Sequence, residues 1–200
     1  MITGEPRTMP VHELRDKARL AVAYANAGTP VMVFQHGDPA VVIITNQEAE
    51  RWIAIERALS TLHGLEVYPE LVDDTSSLAA LVSGRVLANA TAVRRLSGET
   101  RQILDIPRTI GITEIQRRIK EIVDEVNEGR PSTIYSSGEF VAVLITPTEY
   151  YRLRRLSRVV AWFLAAGLDL AKADTPEIVA FVKAFRERAV DVAETREAAG

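Results

Sequence analysis

The fold is decided by the segment VMVFQHGDPAVVIIT at residues 31–45 and by its counterpart STIYSSGEFVAVLIT at residues 132–146. Each segment has two short runs of β-branched and aromatic residues around a turn glycine, which predicts a β-hairpin. The second run of the first segment is apolar at four consecutive positions, 41–44. We therefore expect this strand to be covered on both faces, by helices on one side and by the other half of the chain on the other.

The two segments belong to a longer internal repeat. Shifting the chain by 101 residues aligns positions 9–52 with positions 110–153 without a gap, and 11 of the 44 pairs are identical. A period this long is typical of a small domain rather than of a solenoid unit. We therefore predict two tandem units, residues 1–98 and 109–200, joined by a linker at residues 99–108.

A helix is predicted before each hairpin. Apolar residues recur with the 3.6-residue helical period across positions 14–25 and 115–126. A glycine follows each of these stretches, as is common at helix C-termini. Thr113 and Gln116 have the spacing of a capping box, so the second of these helices is expected to begin there.

Further helices are predicted after each hairpin. Thr45 with Glu48, and Thr146 with Glu149, have the spacing of a helix start. Another helix is expected to begin at Asp174. The predicted fold class is therefore α+β, with two tandem helix–hairpin–helix units that pair their strands into one central sheet as an intramolecular pseudo-dimer, and with additional helices outside it.

Composition excludes several classes of function. The chain has 200 residues, of which 47% are hydrophobic and 26% are charged, enough to bury a core. Without cysteine it has no thiolate nucleophile and no cysteine metal site. It lacks a long apolar run and an apolar signal core, so we expect a cytoplasmic, soluble protein with no membrane partner. The net charge of −3 argues against a wholly basic nucleic-acid binder but leaves local basic surfaces open.

We predict no enzymatic activity, no cofactor and no metal. The three histidines, His12, His36 and His63, all lie in the first half, and none shares metal-ligand spacing with an acidic residue or another histidine. The sequence has no nucleophile elbow or phosphate loop. Gly37 and Gly138 are interpreted as turn glycines.

The order helix, Gly-x-Pro, hairpin, apolar strand and Thr-x-x-Glu resembles the prevent-host-death (Phd/YefM) antitoxin family. The residues that carry the resemblance are HELR at 12–15, GTP at 28–30, VFQHGDPAVVIIT at 33–45 and Glu48, then TEIQ at 113–116, GRP at 129–131, residues 134–146 and Glu149. The resemblance covers nearly half of the chain and implies a bacterial type II antitoxin. Members of this family dimerise through these strands, bind their operator with the N-terminal domain and inhibit a toxin with a C-terminal segment.

The resemblance implies that the first helix of each unit contacts DNA phosphates and base edges. The candidate DNA-binding residues are Arg15, Lys17, Arg19, Arg117, Arg118 and Lys120. The alternative interpretation is a solvated face of an amphipathic helix, since Asp16, Glu121 and Asp124 lie among these cations.

The sequence departs from the family at two points that bear on DNA. The family commonly has an arginine early in the first helix; Arg15 matches it, but the second unit has Gln116 there. The family's hairpin tip is usually basic before its glycine, whereas here the tips are neutral and are followed by Asp38 and Glu139. Fewer cations release fewer counterions, so these departures weaken the expected operator binding.

A second set of residues is predicted to bind a protein partner, the candidate toxin. These residues are Trp162, Phe163, Phe181, Phe185, Arg154 and Arg155. Arg154 and Arg155 belong to a cationic cluster with Arg152 and Arg158, which suits an acidic partner surface or nucleic acid. The alternatives are internal packing of the aromatic residues and ion pairs between the arginines of this cluster and nearby glutamates.

Two functions are compatible with the sequence. The first is an antitoxin-like protein that neutralises a partner toxin by binding and represses its own promoter as a DNA-binding pseudo-dimer. The alternative is a scaffold or assembly protein that retains the antitoxin fold, does not bind DNA and uses its helical extensions for protein partners. Further self-association of the fused chain stays open in both.

Overall fold

The computed structural model describes residues 5–65, 108–184 and Glu187. Phe185 and the predicted linker up to residue 107 lie outside the described residues, whereas Arg108 begins a strand. The described part of the chain has an α+β fold with a single mixed six-stranded sheet and five helices. The prediction of one sheet in an α+β fold is confirmed.

Residues 5–65, here called the first half, and residues 108–184, the second half, have the same order of elements. The first half contains β1 (Arg7–Pro10), α1 (Val11–Asn26), β2 (Val31–Gln35), β3 (Asp38–Thr45) and α2 (Asn46–Gly64). The second half contains β4 (Arg108–Gly111), α3 (Ile112–Asn127), β5 (Ser132–Ser136), β6 (Glu139–Ile145), α4 (Pro147–Ala165) and the helical residues 175–184, here α5.

The sheet has the strand order β1-β2-β3-β6-β5-β4. The edge strands β1 and β4 run parallel to β2 and β5, while both hairpins and the central β3–β6 pair are antiparallel. A helix connects each parallel pair, as parallel strands require. Strands β1 and β4 were not predicted from the sequence, because four-residue strands are too short to show an alternating pattern.

The strand registers of the two halves match with an offset of 101 residues. Arg7 lies opposite Val31, and Arg108 lies opposite Ser132. Each hairpin also has a register shift at the same place. It lies between Val33 and Phe34 in the first hairpin and between Ile134 and Tyr135 in the second. We call two residues that differ by 101 in number matching positions.

Helices α1 and α3 contact each other and cover one face of the sheet. Their apolar stripes are buried as the helical period predicts: Leu14, Ala18, Ala21, Val22 and Ala25 in α1, and Ile115, Ile119, Ile122, Val123 and Val126 in α3. Strand residues of the same core cluster include Val33, Ile43 and Leu144.

The opposite face of the sheet is buried as well. Val42, Ile44 and Val143 alternate with the core residues along their strands and are at most 4% exposed. The hydroxyl of Tyr151 on α4 lies 3.9 Å from the Sδ of Met32 on β2, so α4 reaches the first half of the chain on this face. Helices α1 and α3 thus cover one face, α4 contacts the other, and β6 of the second half pairs along the edge of β3.

The helix starts were predicted correctly only after the hairpins. The backbone N–H of Glu48 donates to Thr45 Oγ1 at 2.9 Å, and that of Glu149 donates to Thr146 Oγ1 at 3.1 Å. The capping box at Thr113 was wrong: α3 begins at Ile112, directly after an extended Gly111 in β4 that makes no side-chain cap. Strand β4 leads directly into α3 and fixes where this helix begins, so no capping side chain is needed.

The described residues divide into two compact units. A sheet unit comprises residues 5–53 and 108–157, and a helical unit comprises residues 54–65, 158–184 and Glu187. In the helical unit, α5 begins at the predicted position, where Asp174 Oδ1 accepts from the Glu177 N–H at 2.9 Å and Glu177 Oε2 accepts from the Asp174 N–H at 3.1 Å. No helix within these ranges has the length and apolar character that crossing a bilayer requires.

Candidate nucleic-acid interface

The six candidate DNA-binding residues lie on the solvent side of α1 and α3, the two helices that contact each other. All six are exposed: Arg15, Lys17, Arg19, Arg117, Arg118 and Lys120. Burial of the opposite apolar stripe against the sheet fixes this orientation. The structure therefore brings the predicted cations of both halves onto two adjoining helices.

Both helices are kinked at matching positions inside this basic segment. Lys17 has φ −120° and ψ 30°, and Arg118 has φ −131° and ψ 27°, so each helix is interrupted after its first turn and a half. Neither position is a proline or glycine, and nothing in the sequence predicts the kink. Two of the candidate cations are thus located at the bends.

Three of the cations are held by acidic neighbours on the same helix. Arg15 Nε is 3.2 Å from Asp16 Oδ1, and Lys17 Nζ is 2.7 Å from Glu13 Oε1. Arg118 contacts Glu121 at 2.5 Å and also reaches Glu114 at 3.3 Å. These exposed pairs neutralise part of the positive field but stabilise the fold little.

The pKa values follow from these contacts. The hydrogen bond with Lys17 holds the pKa of the Glu13 carboxyl below its ordinary value, and the same hydrogen bond raises the pKa of Lys17. The hydrogen bond with Glu121 raises the pKa of Arg118. Both cations therefore stay charged, but each is shared with a carboxylate that a phosphate would have to displace.

The other three cations are available for a ligand. Arg19, Arg117 and Lys120 make no side-chain hydrogen bond or ion pair with any described residue. Arg19 and Lys120 occupy matching positions, so each half presents one such cation at the same place on its helix. A cation without an internal partner can contact a phosphate at no cost in broken ion pairs.

Arg7 and Arg108, which were not predicted from the sequence, hold these helices to the sheet edges. The Cζ of Arg7 on β1 lies 3.9 Å from the ring centroid of Tyr24. At the matching position, Arg108 on β4 bonds to Glu125 and places Nη2 2.6 Å from Glu114 Oε1. The sequence contains one indication that these two arginines have matching positions, because the dipeptide Arg-Thr occurs at both 7–8 and 108–109.

The hairpin tips confirm the predicted turn glycines but carry no cation in their turns. His36 and Gly37 have φ of 54° and 95°, the two left-handed residues of a two-residue turn, and the matching Gly138 has φ 93°. Asp38 and Glu139 follow the turns and are exposed. The tips therefore add negative charge to the surface of the sheet unit.

The aromatic candidates for partner binding lie in the helical unit. The Phe163 ring is 1% exposed, and its centroid lies 4.9 Å from that of Trp162 and 6.0 Å from that of Phe181. Trp162 and Phe181 are half-buried. Phe163 thus belongs to the core of its unit, whereas Trp162 and Phe181 retain accessible surface.

The predicted arginine cluster on α4 is divided by burial. Arg155 is exposed and Arg154 is half-buried. Arg152 instead forms a buried ion pair with Glu149, in which both side chains are 3% exposed. The alternative interpretation, pairing with a nearby glutamate, is therefore confirmed for Arg152.

No metal-binding group of three or more histidine, cysteine, aspartate or glutamate residues occurs within the described residues. His12 and His36 are exposed, and the side chain of His63 lies outside the described part. No protein-family model, curated protein or solved structure matches the chain. The arrangement of charged residues on α1 and α3 is thus the basis for assigning a function.

Proposed function

We propose that the chain is an antitoxin-like regulator of the Phd/YefM type, in which two tandem units fused in one polypeptide form an intramolecular pseudo-dimer. In this proposal it acts in the cytoplasm, binds operator DNA through α1 and α3, and neutralises a toxin through its helical extensions. The observation that carries the proposal is the matching of the two halves about the central β3–β6 pair, with α1 and α3, which each present three exposed cations, in contact on one face.

A duplicated set of exposed cations suits duplex DNA for a geometric reason. Proteins with two related halves bind operators with two related half-sites, because the symmetry of the DNA backbone repeats the same contacts. Arg19 and Lys120 supply one cation to each half-site in the proposed complex. Arg117 adds a third cation that pairs with no carboxylate in the described part of the chain.

Toxin neutralisation is proposed as binding without turnover. In this proposal the exposed parts of Trp162 and Phe181 supply apolar contact, and Arg154 and Arg155 meet acidic groups of the toxin. Aromatic residues and arginine are the types that most often dominate the energetics of protein interfaces. We propose no catalytic step for this chain.

The scaffold function is the second candidate, and two observations favour it. The exposed Asp38 and Glu139 place negative charge beside both hairpin turns. The ion pairs of Arg15, Lys17 and Arg118 also reduce the positive field of α1 and α3. A protein with these features can retain the fold for assembly while no longer binding DNA.

Fluorescence anisotropy of the full chain with its own upstream DNA, against scrambled DNA across a salt series, tests the DNA function. We expect preferential binding whose salt slope falls by about 2 in the double variant Arg19→Ala, Lys120→Ala. The matched control, Arg130→Ala with Lys172→Ala, removes the same charge from exposed positions elsewhere and is expected to leave the slope unchanged. Absence of binding at low salt would favour the scaffold function.

Co-expression tests the toxin function. A small reading frame that adjoins this one is expressed alone and together with the chain, and growth and direct binding of the purified proteins are measured. We expect growth arrest that the full chain relieves and a Trp162→Ala, Arg155→Ala variant relieves poorly. A Lys172→Ala variant serves as the control because this side chain is 85% exposed. Relief without direct binding would contradict neutralisation by binding.

A further inference from the structure

Helices α1 and α3 present different side chains at two matching positions on their solvent side. Arg15 on α1 matches Gln116 on α3, and Asp16 matches Arg117. All four residues are exposed and lie on the turn that precedes the kink. The halves therefore share a backbone arrangement but differ in the groups that they present to a ligand.

These four side chains differ in the DNA bases that they can recognise. Arginine pairs bidentately with the O6 and N7 of guanine, and glutamine pairs with the N6 and N7 of adenine. Asp16 keeps Arg15 partly neutralised at 3.2 Å, whereas Arg117 has no such partner among the described residues. The first helix thus favours guanine through one arginine, and the second offers an adenine-type contact beside a cation.

The next two cationic positions are alike in both helices. Lys17 matches Arg118, and Arg19 matches Lys120. Contacts from such cations to phosphate fix the orientation of a protein on DNA without reading its sequence. Shared cations therefore supply equal anchoring in both half-sites, and the differences that precede them supply the discrimination.

We propose that a single chain reads an asymmetric DNA site, with α1 on one half-site and α3 on a half-site of different sequence. This inference rests on the proposed DNA-binding function. A homodimer presents identical residues twice and so selects two identical half-sites. Fusion of the two halves into one chain removes that constraint, and the complex has one orientation and contains one chain per site.

Selection from a random duplex library tests this inference. The full chain is bound at low salt to duplexes with 24 random base pairs, and the retained DNA is sequenced. We expect a consensus with two different half-sites. Binding of a duplex with that consensus is then measured for stoichiometry, with one chain per duplex as the expected result.

Two reciprocal variants assign the half-sites to the helices. Gln116→Arg with Arg117→Asp gives α3 the residues of α1, and Arg15→Gln with Asp16→Arg gives α1 those of α3. Each variant is expected to select two identical half-sites and to bind the wild-type consensus about tenfold more weakly. The side chains of Arg15 and Asp16 are 59% and 65% exposed, so these substitutions leave the core intact.

The outcomes separate this inference from the proposed function. A symmetric consensus for the wild-type chain, or binding without any consensus, overturns the inference and leaves DNA binding in place. A consensus that neither reciprocal variant alters overturns the assignment to these residues. No retained DNA at low salt overturns the DNA-binding function itself and the inference with it.

Discussion

Ile43 and Leu144 lie opposite each other at the centre of the six-stranded sheet, and they are matching positions of the two halves. On either side, Val42 lies opposite Ile145 and Ile44 lies opposite Val143, so exchanging the halves reproduces the same pairs. An antiparallel junction of this kind is what two identical subunits form about a two-fold axis. Here both strands belong to one chain, which removes the dependence of the junction on concentration.

Truncation of the central pair is expected to show energetic coupling between the halves. Ile43→Ala and Leu144→Ala each remove a fully buried side chain and are expected to lower the free energy of unfolding by about 2–5 kcal/mol. Because the residues are cross-strand neighbours, the double variant is expected to depart from additivity by at least about 0.5 kcal/mol. Urea denaturation of the four proteins provides the measurement. Additive losses would show that the halves are stabilised independently.

A buried hydroxyl in β5 offers a stabilising substitution. Ser132 is fully buried, and its Oγ has no hydrogen-bond partner among the described residues, whereas the matching residue is the buried Val31. We expect Ser132→Val to raise the free energy of unfolding by about 1 kcal/mol, because it removes an unsatisfied polar group. The reverse change, Val31→Ser, is expected to lower it by about 1–3 kcal/mol. Loss of stability in Ser132→Val would indicate that the site cannot hold the two methyl groups.

The strands and helices that the sequence predicted are those with a periodic pattern. Residues 31–45 and the apolar stripe of α1 show such patterns, and both form the expected elements. The edge strand at Arg7–Pro10 has four residues and ends in proline, so no pattern is visible. These residues form a strand because they pair with β2, and this pairing is a tertiary interaction.

The candidate site was predicted in its residues but not in its electrostatics. Exposure of Arg19 and Lys120 followed from the helical period. The ion pair between Lys17 and Glu13 could be predicted from the i, i+4 spacing of the two residues. The contact of Arg108 with Glu125 spans 17 residues and depends on where β4 lies, so the sequence alone could not provide it.

The buried ion pair on α4 is expected to make a larger contribution than its counterpart on α2. Glu149→Ala removes the carboxylate that pairs with the buried Arg152 side chain, and we expect a loss of about 3 kcal/mol. The matching pair of Glu48 with Arg51 has an N–O distance of 3.9 Å and is partly exposed. Glu48→Ala is expected to cost about 1 kcal/mol, mainly through its hydrogen bond from Trp52 Nε1. Thermal and urea unfolding of both variants compares them, and equal losses would contradict the role of burial.

Stability is expected to fall at alkaline pH through Tyr150. Burial raises the pKa of this phenol above its ordinary value of 10.0, and the nearby Arg154 guanidinium acts in the opposite direction. The pKa of Tyr150 is higher in the folded than in the unfolded protein, so its protonated phenol contributes fully to the free energy of unfolding below pH 10.0. This contribution is lost as the pH rises through the folded pKa. Urea unfolding between pH 8 and pH 11 (about the range that spans tyrosine ionisation) should show a shallower decline in Tyr150→Phe. Tyr151→Phe, which changes a side chain that is 44% exposed, should decline as the wild type does.

Release of the paired cations is expected to strengthen DNA binding if α1 and α3 form the interface. Glu13→Gln removes the partner of Lys17, and Glu121→Gln removes the closer partner of Arg118 and leaves only Glu114 at 3.3 Å, so both cations become more available to phosphates. We expect the double variant to bind duplex DNA more tightly and with a salt slope about 2 units steeper, since about one counterion is released per neutralised phosphate.

The control for this prediction separates local contacts from net charge. Glu128→Gln with Asp169→Asn changes the net charge by the same amount at positions outside α1 and α3. If the interface lies on the two helices, this variant is expected to keep the wild-type salt slope, because it frees no cation there. An equal gain in both double variants would show that overall charge governs binding. In that case α1 and α3 would carry no specific role, and the scaffold function would be favoured.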